Sequence, residues 1–290
     1  MELWFVFALA VAFLWGSAAM FAKLSTPKLG VARVAVLIAI VEGPIYFLGF
    51  YYWHDYVPIS LGDGTLAATS CMVGTIAYLC YFESIVDGQI AIAGTISAAY
   101  PALTVVGALV ILSETVTAIQ VIGLVAIIGG VVALSYEPNP GSESAMSKRS
   151  VSFALLAFAL WGLWSLTSKM AVTRIGPGNI LGFYVISSVT VPLVYAWSRR
   201  VRLRPLKDDD YQWTAWALGT TGLAVSVLGT FAFSFALDSG FASLVVPISS
   251  AYPLVTVILA VGLLREKLSR LHMIALVCVI IGLIMIAITS

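Results

Sequence analysis

Ser97-Ala98-Ala99-Tyr100-Pro101-Ala102-Leu103-Thr104-Val105 returns 152 positions later as Ser249-Ser250-Ala251-Tyr252-Pro253-Leu254-Val255-Thr256-Val257. The register holds beyond this window. At the same spacing Gly88 meets Gly240, Glu114 meets Glu266, and Gly130 meets Gly282. An earlier pair, Leu14-Trp15-Gly16 with Lys23 and Leu160-Trp161-Gly162 with Lys169, repeats at a spacing of 146. Self-similarity of this kind marks a duplicated structural unit. The copies are residues 1–136 and 151–290, joined by a polar linker, 137–150, rich in Pro, Gly, Ser and charge.

The composition says what each copy is made of. Of 290 residues, 61% are hydrophobic and 10% charged, against about 45–50% and about 25% in soluble domains. Mean hydropathy is +1.03. Apolar stretches long enough to cross a bilayer, about 20 residues each, fall at roughly 3–22, 32–52, 64–85, 90–112 and 116–136, then 151–172, 178–197, 212–236, 241–263 and 268–288. Lipid leaves no partner for open backbone groups, so these spans are predicted to be helices. The fold class is an all-α polytopic membrane protein of ten transmembrane helices. A soluble enzyme is excluded, and a net charge of +1 gives no footprint for nucleic acid. Cys71, Cys80 and Cys278 lie in apolar stretches without metal or disulfide spacing. The stretch from Leu3 to Met20 lacks a basic leader and reads as a retained first helix.

Five helices per copy is an odd number, so the second copy is expected to enter the membrane upside down. Two inverted five-helix repeats around a central cavity are the architecture of many secondary transporters. The connections after spans 1, 5, 7 and 9 carry 13 of the 15 Lys and Arg residues, leaving only Lys169 and Arg174 for the other side. The positive-inside rule puts those connections in the cytoplasm and both termini opposite. A C-terminal reporter fusion is expected to read out on the non-cytoplasmic side; a cytoplasmic signal overturns this orientation.

The early Trp-Gly with a Lys at the end of spans 1 and 6, and Tyr-Pro-x-x-Thr-Val followed by Glu, resemble the EamA branch of the drug/metabolite transporter superfamily. Each half resembles the short five-helix members, so the chain looks like a fused duplication of one. The resemblance covers nearly the whole chain. It implies a cavity formed by spans 1, 3, 4, 6, 8 and 9, with Trp15 and Trp161 pointing toward it. It leaves the substrate open, because the branch spans amino acids, sugars, nucleotides and cations.

Candidate substrate contacts are Trp15, Glu42, Tyr78, Tyr81, Glu83, Tyr100, Trp161, Trp164, Ser249 and Tyr252. Glu42 is a carboxylate in the middle of span 2, where burying its charge costs about 2.5–3.5 kcal/mol on insertion scales. Aligning Pro44 with Pro192 makes Thr190 its repeat counterpart, so the fold itself does not require an acid. It reads as a proton carrier, as a counter-ion for a cation, or as a carboxyl bonded to backbone freed by Pro44. Glu83 ends span 3 near Tyr78 and Tyr81, a setting that suits an organic cation or a plain helix end. Pro101 and Pro253 are expected to break spans 4 and 9 in the middle, with Ser97 and Ser249 near the freed carbonyls. Lys23 and Lys169 either snorkel to the interface or act as gate and anion contacts. Glu114 and Glu266 suit the starts of spans 5 and 10. Trp4, Trp53 and Trp213 read as interfacial, and Ala126, Gly130 and Gly282 as close-packing positions.

No metal site, cofactor, nucleotide-binding loop or hydrolase motif is present in the sequence, and His54 and His272 stand apart. The reading is a secondary active transporter in the plasma membrane, an exporter or exchanger, working as a monomer or weak homodimer with protons as a possible coupling ion. Its substrate is an amino acid, amine or amphipathic organic cation. The alternatives are an anionic metabolite held by Lys23 and Lys169, a channel, and an intramembrane enzyme without a recognised motif.

Overall fold

The computed structural model describes residues 2–86, 96–135, 148–201, 212–264 and 269–289. The first copy contributes α1 (Leu3–Leu29), α2 (Val31–Trp53), α3 (Leu61–Val86), α4 (Tyr100–Ile111) and α5 (Ala118–Leu134). The second contributes α6 (Lys148–Ile175), α7 (Asn179–Ser198), α8 (Gln212–Ser239), α9 (Ala242–Ser249), α10 (Tyr252–Leu264) and α11 (Arg270–Ala287). α9 and α10 together make span 9, so the ten spans read from the sequence are ten crossings of an all-helical protein. No strand occurs among the described residues.

Several helices run a few residues past the spans read from the sequence, and two of these boundaries matter. α1 continues to Leu29, and α6 already begins at Lys148, inside the segment read as linker. Polarity marks where a helix leaves the hydrocarbon, not where its hydrogen bonding stops, so a charged first or last turn stays helical at the membrane surface. Linker residues 137–147, the start of span 4, and Glu266 lie outside the described residues.

The helices pair across the copies. α1 lies along α8 and α6 along α3; α1 also meets α10 as α6 meets α4; α2 faces α7, and α5 faces α11. Exchanging the two copies interchanges the first four of these pairings two by two and maps the last two onto themselves. Small residues permit the crossings. A Cβ built on Gly16 falls 2.6 Å from Val255 Cβ, and one on its counterpart Gly162 falls 2.5 Å from Leu103 Cδ2. Thr256 Oγ1 donates to the Gly16 carbonyl at 2.9 Å, and Thr104 bonds Ser165 at 2.6 Å beside Gly162. On the α5–α11 face Gly282 meets Gly123, while Gly130 meets Val279 and the Ala275 carbonyl. Gly123 thus joins the positions read as close-packing. Trp53 and Trp213 are exposed as interfacial residues should be, but Trp4 is buried against Gly240.

The prolines act differently from expectation. Pro101 and Pro253 sit at the second residue of α4 and α10, where no intrahelical donor is lost. The breaks precede them, at Ala99 and at Ser250-Ala251. There Ala102 N bonds Ala99 O at 3.0 Å and Leu254 N bonds Ala251 O at 2.9 Å, tight turns that start a new helix. Proline has no N–H to continue a helix running into it and is tolerated inside a first turn, so each helix restarts just ahead of it.

Candidate functional site

Glu42 stands eleven residues from either end of α2, about 16 Å from each at 1.5 Å per residue. It is 8% exposed. Its carboxyl takes part in no ion pair or hydrogen bond among the described residues, including none to the backbone that Pro44 leaves free. The hydroxyls of Tyr46, Tyr78 and Tyr184 lie within electrostatic reach of it. Burial also corrects its repeat partner. Ile38, Glu42 and Tyr46 are buried, and so are Tyr184, Ser188 and Pro192, each 146 positions on, while Thr190 is exposed. Gly43 touches Val189, again 146 positions away. The counterpart of Glu42 is Ser188; matching the two prolines had shifted the register by two residues.

Toward the basic end of the bundle, the end holding Lys148 and Arg199, the aromatic candidates converge. Trp161 lies between Tyr81 at 5.4 Å and Tyr100 at 5.7 Å between ring centroids. The Tyr252 hydroxyl is within electrostatic reach of Tyr78, Tyr81 and Tyr100. Tyr78 also borders a void of about 20 Å³ among α1, α2, α3 and α8, lined in part by Ala18, Ala22, Gly219 and Gly222.

Toward the opposite end the aromatics close into a stack. Trp15 and Trp164 meet at 6.2 Å, and Phe233 packs on both, at 5.3 and 5.1 Å. Trp164 Nε1 donates to the Tyr184 hydroxyl at 2.9 Å, and Tyr184 stacks on Tyr46 at 5.1 Å. Gly74 and Gly229 provide the flat floors on which Trp164 and Trp15 lie. Tyr46, Tyr184 and Phe233 escaped the sequence reading because they carry no charge and match no repeat motif. Beyond the stack, Asp55 and Asn179 lock two loops together. Gly178 N donates to Asp55 Oδ2 at 2.9 Å, and Asn179 Nδ2 to the Asp55 carbonyl at 2.8 Å. Arg174 pairs with Asp63 at 3.2 Å.

Glu83 is elsewhere, and its counter-ions belong to the chain itself. Arg149 reaches one carboxylate oxygen at 2.5 Å, and Arg199 and Tyr195 both donate to the other. The helix-end carboxylate read as a site for an organic cation therefore ties α3 to α6 and α7.

Lys169 and Glu114 serve helix ends. Lys169 Nζ donates to the carbonyls of Leu237, at 2.6 Å, and Gly240, at 2.9 Å, at the end of α8. The Glu114 carboxylate accepts from Ala242 N and Ser243 N, both at 2.8 Å, at the start of α9. α5, the helix it had been assigned to, is capped instead by Thr117 with Gln120. Both roles follow from helix termini leaving backbone groups unpaired. Glu114→Ala leaves two buried amides without an acceptor, and each such loss costs about 1–3 kcal/mol. A clear fall in the thermal midpoint of the detergent-purified protein is expected, and an unchanged midpoint contradicts the capping role. Ser249 Oγ is buried without a partner among the described residues, while its neighbour Ser250 bonds the Pro247 carbonyl at 2.9 Å. Lys23 is exposed near the basic end of α1.

A duplicated ten-span bundle has a counterpart among known families. The EamA-like transporter family matches residues 2–136 and again residues 148–288. The chain belongs to that family. It is a multi-pass integral membrane protein, for which the plasma membrane is the usual location. A solved structure described only as the crystal structure of a protein superposes with a TM-score of 0.75 at 17% identity, over 99% of this chain and 97% of that one. At that identity the likeness speaks for the fold. An uncharacterized protein of Methanocaldococcus jannaschii is 42% identical over 64 residues, 22% of this chain; the match spans about half of that relative, 47% of its length.

Proposed function

We propose that this EamA-family member is a secondary transporter of a small amine, amino acid or amphipathic organic cation, with Glu42 as its charge-bearing group. One observation carries the reading: a carboxyl at mid-membrane depth has no counter-charge among the described residues, while aromatic rings and hydroxyls lie around it. A proton or a cationic substrate removes the cost of that charge, and aromatic faces favour an organic cation. Tyr78, Tyr81, Tyr100, Trp161 and Tyr252 form the wall on the basic side; Trp15 and Trp164 form it on the other.

The pairings that interchange with the copies, and contact between the counterparts Gly43 and Val189, support a two-fold axis through the α2–α7 crossing. With an odd number of helices per copy, that axis lies in the membrane plane and the repeats are inverted. Alternating access then exchanges one seal for another. The aromatic stack and the Asp55–Asn179 lock close the opposite end here, and release toward that side has to open both. The breaks before α4 and α10 supply the joints. The anionic-metabolite reading loses much of its support, because the Lys169 amine is engaged by two helix-end carbonyls.

The test is counterflow in proteoliposomes, with unlabelled amino acids, amines, nucleosides and organic anions preloaded in turn. Saturable exchange of an amine or amino acid, and its accumulation under an imposed pH gradient, are expected. Exchange confined to organic anions refutes the assignment.

A further inference from the structure

A groove of about 440 Å³ runs along the membrane-facing side where α3, α6 and α7 meet at the basic end. Its walls are apolar: Ile76 and Leu79 of α3, Phe153 of α6, Val191 and Val194 of α7. Ile76 and Val194 are exposed there, at 41% and 62%. Its mouth is charged, formed by Glu83, Tyr195 and Arg199.

We propose that this groove holds one acyl chain of an anionic phospholipid whose phosphate rests at Arg199. Depth is the first argument. From Thr190 to Arg199 the α7 wall rises through nine residues, about 14 Å, close to half of the roughly 30 Å hydrocarbon core. The groove therefore matches one leaflet, with its charged mouth at headgroup level. Charge is the second. Arg149 and Arg199 share the single carboxylate of Glu83, and Arg200 stands exposed beside them. Arg199 and Arg200 set two cations beside Glu83 at the described mouth, and a phosphate oxygen complements them. The third is posture. Arg199 lies over the Tyr195 ring at 5.4 Å and Arg149 over the Phe153 ring at 5.6 Å, so both guanidiniums are held at the mouth with about half of each side chain outside. Trp197, 81% exposed, marks the same interfacial layer. Basic pockets between helix ends at this depth recognise lipid headgroups. A lipid seated here touches α3 of the first copy and α6 and α7 of the second, bridging the copies where Glu83 already does.

The experiment is native mass spectrometry of the full chain in detergent, with phosphatidylglycerol and phosphatidylcholine of identical chains added in equal amounts. Wild type is expected to retain phosphatidylglycerol over phosphatidylcholine by roughly tenfold, the scale of one or two interfacial cations. Arg199→Gln with Arg200→Gln should bring the ratio to parity. Val194→Trp fills the groove, leaves every charge in place, and should reduce retention of phosphatidylglycerol; it decides the matter should the arginine variant fail to fold. Equal retention of both lipids by wild type overturns the proposal, as does retention undiminished in Val194→Trp. Displacement by glycerol phosphate alone, or by a transported amine, also overturns it, showing a free-anion site or a substrate portal.

Discussion

Glu42→Gln is expected to leave the protein folded and to abolish gradient-driven accumulation. Gln fills the same volume and carries no charge, so the variant escapes the cost of about 2.5–3.5 kcal/mol for ionised carboxyl at this depth. Stability in detergent should therefore hold or rise. Transport loses the group that changes charge. If Glu42 carries a proton, exchange between equal pools should survive, because a loaded carrier can return without titrating. If Glu42 balances a cationic substrate, binding itself should fail, since an amide cannot offset a buried cation. Accumulation and exchange assays on the same vesicles thus separate the two roles. Normal behaviour in both assays makes Glu42 structural, and leaves the aromatic walls at Trp161 and Trp164 as the site without a charge.

The duplication, the ten crossings and the membrane class were legible because lipid imposes a long, uniform pattern that survives without knowledge of contacts. Several members of the proposed site stand out in the sequence for a related reason: an acid at mid-span, or an aromatic beside a repeated Gly, is locally anomalous. What sequence could not show was decided between distant helices. The register of α7 against α2 follows from which face is buried, and two prolines in similar positions misplaced it by two residues. Glu83 looked available because its counter-ions, Arg149 and Arg199, stand 66 and 116 positions away. Glu114 looked like a cap for the helix that follows it, yet it caps one 128 positions on. Charges near helix ends are easy to find and hard to assign, because a terminus accepts any suitable partner that packing brings near.

Gly16→Ala tests the join between the copies and is expected to impair both stability and transport. The added Cβ would lie 2.5 Å from the Tyr252 carbonyl oxygen and 2.6 Å from Val255 Cβ. The first of these is main chain at the start of α10, which no rotamer change can clear, so α1 or α10 has to move. Overpacking of this kind typically costs about 1–3 kcal/mol, and it strikes where Thr256 bonds the Gly16 carbonyl. Tyr252, one wall of the central site, sits on the displaced segment, so substrate affinity should weaken along with the thermal midpoint. Gly262→Ala on the same α10 is the control. Nothing lies within 4 Å of its Cβ, and replacing Gly by Ala in a helix interior favours the helix by about 0.5–1 kcal/mol. It should be neutral or mildly stabilising, with transport intact. Gly162→Ala, meeting Leu103 Cδ2 at 2.5 Å, should fall between them. Its neighbour is a side chain whose Cδ2 can turn away, but Leu103 Cγ at 2.9 Å and Cβ at 3.1 Å stay close, so α4 and α6 still have to give slightly. Equal behaviour of Gly16→Ala and Gly262→Ala would mean that the α1–α10 contact does not position the site.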